Sequence, residues 1–358
     1  MNSSATENGT IPTSTDWNER MNKVRCTIFC GSMLVLIAVL SWVSVITGSV
    51  AISAGEILSL FSGAAGDPMH TGILFSIRLP RMVSAILLGG ALALSGYLLQ
   101  TFFRNPIVGP FVLGISSGAK LAVALAMVFF LSRGREIGLV RMVAAAFAGS
   151  MLVMCFVLAV SVRVKSMSVL VVCGIMAGYI CSAVTDFVVT FADDSNIVNL
   201  HNWSMGSLSG INWEEVRIIL VILCGCLFLS LFLVKPMGAY RLGESYAAGA
   251  GVNLRLLRVL LILISSLLAA CVTAFAGPVS FVGIAVPHLA RSAMKTDAPA
   301  AMLPASFLCG AAVTLLCDTV ARTLFAPAEV SISSVTALFL VPVVIVMMLG
   351  RRDKREDV

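Results

Sequence analysis

Charged side chains are scarce in this sequence. Asp, Glu, Lys and Arg make up 12% of its 358 residues, about half the share usual in a soluble domain. That scarcity excludes an ordinary water-soluble globule, because 59% of the residues are hydrophobic and mean hydropathy is +1.00. One core cannot bury that much apolar surface, so lipid must solvate much of the chain. No lysine sits in a phosphate-cradling Gly-rich loop, which argues against ATP hydrolysis by this chain. HExxH pairs and nucleophile–base constellations are also missing. The ten cysteines lack CxxC spacing and fall in or beside apolar runs, so they read as small buried helix residues and not as a zinc or redox site. The net charge of +6 lies in short basic clusters between apolar runs, the pattern membrane topology requires and nucleic-acid binding does not.

Apolar runs dominate what is there. A spanning helix needs about 20 predominantly apolar residues, and ten segments qualify, at about 26–48, 82–102, 112–131, 139–161, 168–191, 215–234, 256–275, 279–291, 303–324 and 334–349. The expected fold is therefore all-α and polytopic, with about ten transmembrane helices. The eighth span is short and interrupted by Gly277-Pro278 and Pro287. Such a break is tolerated only where protein or a wet cavity covers the freed backbone. Residues 1–21 are polar and lack the apolar core of a signal peptide, so a disordered cytoplasmic tail is expected there, a transmembrane domain over 22–350, and a basic cytoplasmic tail over 351–358.

Lysine and arginine set the orientation. Lys23, Arg25, Arg104, Arg163, Lys165, Lys235, Arg241, Arg255, Arg258, Arg291 and Lys295 fall on one side together with the basic C-terminal tail. Arg78, Arg81 and Arg322 fall on the other. Both termini are expected to be cytoplasmic. The cluster Arg133–Arg141 runs against this bias, with local pairing to Glu136 as its expected explanation. Gly89-Gly90-Ala91, Ser95-Gly96 and Gly310-Ala311-Ala312 should let helix backbones approach closely.

Two stretches are unlike generic membrane sequence. The first contains Arg78-Leu-Pro-Arg81, Leu88-Gly-Gly-Ala-Leu-Ala-Leu-Ser-Gly96, Gln100, Arg104-Asn-Pro106 and Leu113-Gly-Ile-Ser-Ser-Gly-Ala119. The second is Gly277-Pro-Val-Ser-Phe-Val-Gly-Ile-Ala-Val-Pro-His-Leu-Ala-Arg291, followed by Asp318-Thr-Val-Ala-Arg322. Between them lie Trp203-Ser-Met-Gly-Ser-Leu-Ser-Gly210 and Leu242-Gly-Glu-Ser-Tyr-Ala-Ala-Gly-Ala-Gly-Val252. In order and spacing these resemble the FecCD-type permeases of iron-siderophore, haem and cobalamin importers.

The resemblance implies a transmembrane subunit of an ATP-binding-cassette importer in a bacterial or archaeal cytoplasmic membrane. Its implied partners are a cytoplasmic ATPase dimer, an extracytoplasmic substrate-binding protein and a second permease copy, in a homodimer. ATP and Mg belong to the ATPase, and no cofactor or metal is expected in this chain. Arg78, Arg81 and Arg322 match arginines that receive carboxylates of the binding protein, a role suited to a rigid, permanently charged fork. Residues 242–252 match the segment seated in the ATPase, with Leu242, Gly243, Glu244, Ala248 and Gly251 as coupling residues. Lys165, Ser166, Met167 and Ser168 fall where relatives narrow the inner gate. Asp186, further along the same span, is an intramembrane charge and a pathway candidate. Asp318 precedes Arg322 by four residues and suits a helical ion pair.

His288, alone, suits helix packing better than metal binding, and His70 and His201 read as loop residues. The chain departs from the family at Glu329-Val-Ser-Ile-Ser333 and Leu340-Val-Pro342, where relatives carry a Glu-Leu-Pro-Val-Gly turn and a Gly-Ala-Pro stretch. A straighter turn and a bulkier last span are expected. The competing reading is an ion-gradient-driven secondary transporter, supported by Asp186 and the broken eighth span. A ferric siderophore is the first expected substrate, ahead of haem and cobalamin.

Overall fold

A computed structural model describes residues 14–48, 50–63, 67–131, 133, 138–164, 166–192, 194–326 and 328–356, with side chains apart from those of 14–20, 22, 131, 139, 194–196 and 347–356. No strand occurs among the described residues. All ten expected spans are helices: α1 (Ser14–Ile46), α4 (Leu79–Phe103), α5 (Ile115–Leu131), α6 (Leu139–Arg163), α7 (Met167–Thr190), α9 (Trp213–Phe232), α12 (Leu254–Ala276), α13 (Val282–Met294), α14 (Pro299–Thr323) and α15 (Ile332–Glu356). Seven of the helical stretches are long and apolar enough to cross a membrane, and Ile115–Phe130 and Ile332–Val346 are shorter apolar helices.

The structure adds short helices between the spans: α2 (Ala54–Phe61), α3 (Pro68–Ile73), α8 (Asp194–Ser204), α10 (Val234–Leu242) and α11 (Glu244–Gly249). His70 and His201 lie on α3 and α8, which corrects their placement in loops. Ser53 and Asp67 accept the exposed amides at the starts of α2 and α3, and His70 pairs with Glu56 at 2.6 Å. Those contacts order a segment whose apolar pattern is too short to announce a helix.

The centre of the bundle is α4. It packs against α14, α12, α13 and α9, while α14 is covered in turn by α1. The stretch Pro68–Phe103 buries 78% of its apolar window, against 17% for α7, so α7 presents an open face along its length. Close approach at α4 depends on the missing side chains the sequence advertises. A Cβ at Gly96 would collide with the Gly283 carbonyl of α13, and one at Gly89 with the Gly310 carbonyl of α14. Where the neighbours are backbone atoms they cannot rotate away, so only glycine fits. Beside this seam Ser95 and Ser265 exchange hydrogen bonds, each hydroxyl donating to the other's carbonyl at 2.8 and 2.9 Å.

The broken eighth span is a loop over 277–281 followed by α13, with Phe281 in the left-handed region. Pro287 has no N–H to give to the Gly283 carbonyl one turn back. Gln100 of α4 covers that break from outside the helix, donating to the Ile284 carbonyl at 3.0 Å and lying 3.5 Å from that of Gly283.

The divergent segment near the C-terminus still turns. Val330 donates its N–H to Ala321 at 2.9 Å, Ile332 donates to Gly206 at 3.3 Å, and the Ser333 hydroxyl donates to Pro278. Pro342 is accommodated inside α15.

All ten cysteines are free thiols. Four are buried, but Cys155 and Cys224 are exposed on α6 and α9, so burial is not general; a small weakly polar side chain is tolerated on a helix face in lipid. Arg133 and Arg141 also have partners the sequence did not suggest. Their guanidinium carbons lie 4.1 Å from the Phe129 ring centroid and 5.0 Å from that of Phe130, a favourable cation–aromatic geometry. Glu136, their expected partner, lies outside the described residues.

Candidate functional site: two charged ends of one bundle

At the end of the bundle where α4 starts and α1 finishes, the three arginines expected to dock a partner converge. A π-helical turn over Leu74–Arg78 links α3 to α4, and the extra residue swings Arg78 towards the end of α1. There its guanidinium donates to the carbonyls of Val45 at 2.7 Å, Ile46 at 3.1 Å and Val50. The Val45 and Ile46 carbonyls belong to the last turn of α1, where a helix leaves carbonyls without intrahelical partners, and Val50 lies just beyond that helix. Arg322 does the same from α14, donating to Thr47 at 3.0 Å, to the Ser44 hydroxyl at 2.8 Å and to the Ser44 carbonyl.

Arg81 is held by carboxylates. Its Nε and Nη2 donate to Asp318 Oδ1 at 3.0 and 2.9 Å, and Nη1 donates to Glu329 Oε1 at 2.8 Å. The i,i+4 pair expected between Asp318 and Arg322 is looser, at 3.8 Å; Asp318 bonds across the bundle to Arg81 instead. All three guanidinium groups thus have internal partners. Together with Glu329 they line a cavity of about 250 Å³ whose charged groups, three guanidinium groups against the single carboxylate of Glu329 on its wall, leave it positive.

At the opposite end lies the expected coupling segment. It is not a plain loop: α10 runs to Leu242, Gly243 breaks the helix at φ 140°, ψ 150°, and α11 starts at Glu244. That backbone conformation is essentially restricted to glycine. Gly251 makes a second left-handed step at φ 79°, and Asn253 caps α12 by accepting the Leu256 amide at 3.0 Å. The elbow is anchored from inside. Glu244 pairs with Arg258 of α12 at 2.7 Å and accepts from the Tyr240 hydroxyl at 3.1 Å. Desolvation pushes the Glu244 carboxyl up, but the Arg258 hydrogen bond and charge, helped by Tyr240, outweigh it and hold the group below the usual carboxylate range. Arg104, in the left-handed region after α4, donates to the Tyr240 carbonyl at 2.6 Å and stacks over its ring. Leu242 and Tyr246 stay 70% and 58% exposed; with exposed Ala248 and Gly251 they form an outward apolar face on a fixed elbow. Next to it a cavity of about 460 Å³ is lined by Arg104, Arg241, Arg291 and Asp297, where Asp297 bridges the other two arginines.

The expected gate and pathway residues do not meet. Ser166 occupies the cap position before α7, Met167 begins the helix, and Ser168 is exposed. Asp186 lies about 27 Å further along α7 at 1.5 Å per residue, on its exposed face. Lys165 lies outside the described residues. His288 is buried in α13, and no group of three or more metal-ligating side chains occurs among the described residues.

Sequence reasoning missed Arg258, Tyr240 and Asp297 as the groups that fix the elbow, and Glu329 as a partner of Arg81. Tyr240 lies only four residues before Glu244, and Asp297 only six after Arg291, so those two pairings were within local reach; Arg258 belongs to the next helix, and Glu329 lies 248 residues from Arg81.

Comparison with known proteins matches this geometry to a family along nearly the full length. The sequence model of the FecCD transport family matches residues 34–350. The hemin transport system permease protein HmuU of Yersinia pestis is 32% identical over 334 residues, 93% of this chain and 98% of that one. The vitamin B12 import system permease protein BtuC of Vibrio parahaemolyticus is 35% identical over 324 residues, covering 90% and 94%. The probable siderophore transport system permease protein YfhA of Bacillus subtilis is 34% identical, covering 83% and 87%. A solved chain described as an inward-facing conformation of a metal-chelate type ABC transporter superposes with a TM-score of 0.79 at 30% identity, covering 90% of this chain and 98% of that one. With its ten helical spans, its glycine-packed central helix and its matched length, the chain belongs to the FecCD transport family.

Proposed function

We propose that this chain is the transmembrane permease subunit of an ATP-binding-cassette importer that carries a metal chelate or corrinoid across a bacterial or archaeal cytoplasmic membrane. The observation that carries the reading is the full-length match to permeases named for hemin, vitamin B12 and siderophore transport, with an exposed elbow at one end of the bundle. A ferric siderophore is the first candidate substrate, followed by haem and cobalamin. ATP and Mg are held by a separate ATPase dimer seated on residues 242–252, with Leu242, Tyr246 and Ala248 as the contact face. A second copy of the chain completes the pathway, packing along the open side of α7, and Ser166–Ser168 narrow the inner gate.

An extracytoplasmic binding protein docks at the arginine end. Because Arg78, Arg81 and Arg322 are already bonded internally, docking acts by exchange. An incoming carboxylate enters the positive cavity and takes the place of Glu329, whose side chain is 43% exposed and therefore the displaceable partner. Asp318, 2% exposed, stays in place.

Co-expression with the ATPase tests the assembly. The permease is expected to purify in a stable complex with it, and Leu242→Asp with Tyr246→Asp is expected to disrupt that complex while the permease remains folded. A chain that purifies alone and accumulates chelate on a proton or sodium gradient contradicts the proposal.

A further inference from the structure

The cavity of about 460 Å³ beside the elbow holds more positive charge than its own wall neutralises. Arg104, Arg241 and Arg291 line it with a single carboxylate, that of Asp297, which leaves a surplus of two positive charges. Asp297 accepts from Arg241 at 2.6 Å and from Arg291 at 2.5 Å, whereas Arg104 bonds the neutral carbonyl of Tyr240. Each guanidinium offers five N–H groups. Bonds to described residues occupy one on Arg104, two on Arg241 and one on Arg291.

The packing fixes which way the cavity opens. Buried Gln100 and Thr101, at the inner end of α4, form its floor. Every α4 residue from Leu88 to Phe103 is buried, with α14, α12, α13 and α9 packed around the helix. Lipid therefore does not reach the floor from the side. The rim carries exposed Arg104, Asn105 and Leu242. Leu242 also belongs to the outward face of the elbow, so the mouth opens towards whatever sits on that face.

A partner seated on Leu242 covers this mouth. Covering surplus guanidinium groups strips them of water, a cost that an incoming counter-charge offsets. We propose that the cavity is a second contact site for the ATPase, receiving a carboxylate side chain of that subunit between Arg104 and Arg291. The planar fork of arginine suits a carboxylate. The inference rests on the importer reading above, and it extends the contact beyond residues 242–252 to the ends of α4 and α13. Arg291 stands in the last turn of α13, the broken span, so the site joins the ATPase to that helix as well as to the elbow.

The test measures ATPase affinity for the full chain in nanodiscs of zwitterionic lipid. Arg291→Gln and Arg104→Gln are each expected to weaken binding about tenfold, the lower end for a charge pair across an interface. Arg291→Lys keeps the charge and should retain most of the affinity. Asp297→Asn breaks the same internal bonds as Arg291→Gln but removes the competing carboxylate, so it is expected to tighten binding. Opposite signs for Arg291→Gln and Asp297→Asn support the proposal, because a purely structural brace would weaken binding in both. Weakening in both, or wild-type affinity in both, overturns it. A loss that occurs only when phosphatidylglycerol is added assigns the cavity to a lipid headgroup and also overturns it. A wild-type chain that binds no ATPase in either membrane contradicts the importer reading itself.

Discussion

Asp318→Ala is expected to cost about 3–5 kcal/mol of folding stability, the loss typical of a buried ion pair stripped of one partner. The side chain is 2% exposed and holds two nitrogens of Arg81 at 2.9 and 3.0 Å, with Arg322 at 3.8 Å. Without it, two buried guanidinium groups face each other with Glu329 as the remaining carboxylate. The readout is thermal unfolding of purified protein in nanodiscs, where the variant should melt well below wild type or fail to accumulate. Pairing Arg81→Met with Asp318→Leu removes both charges and should recover much of the loss, because the penalty belongs to the orphaned charge. Glu329→Gln, at a half-exposed site, should melt near wild type and alter binding-protein affinity instead. An Asp318→Ala protein that melts like wild type contradicts this account of the arginine end.

Gly243→Val is expected to uncouple the transporter without unfolding it. A β-branched residue at φ 140°, ψ 150° is strained by about 1–3 kcal/mol, which shifts the competent elbow against alternatives by about 5–150-fold. The nearest atom to a Cβ at this position is Tyr246 Cβ at 4.0 Å, an ordinary contact, so the effect is one of backbone conformation alone. ATP hydrolysis by the assembled complex should persist while uptake per ATP falls by at least about tenfold. Gly249→Ala is the control: Gly249 is helical, has open space around it, and should transport normally. Normal uptake by Gly243→Val removes the elbow from the coupling mechanism.

The spans, the small-residue seams and the coupling segment are legible in the sequence because each is a local signal. Apolar run length marks a span, and Gly89, Gly96 and Gly310 stand where two helices must touch. Gly243 and Gly251 announce reversals, and both have positive φ. What is not legible is which distant group satisfies a charge. Arg81 bonds Asp318 across 237 residues and Glu329 across 248, and Asp297 draws in Arg241 from 56 residues away. Helical spacing suggests Asp318–Arg322, yet the cross-bundle partner wins because its geometry permits two short bonds. Arg78 points at the end of α1 because of a π-helical turn that no residue pattern encodes.

The central claim is that ATP hydrolysis in a partner drives chelate through this bundle. The most direct test is uptake into proteoliposomes holding this chain with its ATPase and binding protein, using ferric siderophores, haem and cobalamin, with the ATPase either intact or mutated at its phosphate-loop lysine. Accumulation of one of these ligands that vanishes with the lysine mutation is the result the account predicts. Accumulation that survives the mutation and follows an ion gradient would contradict it.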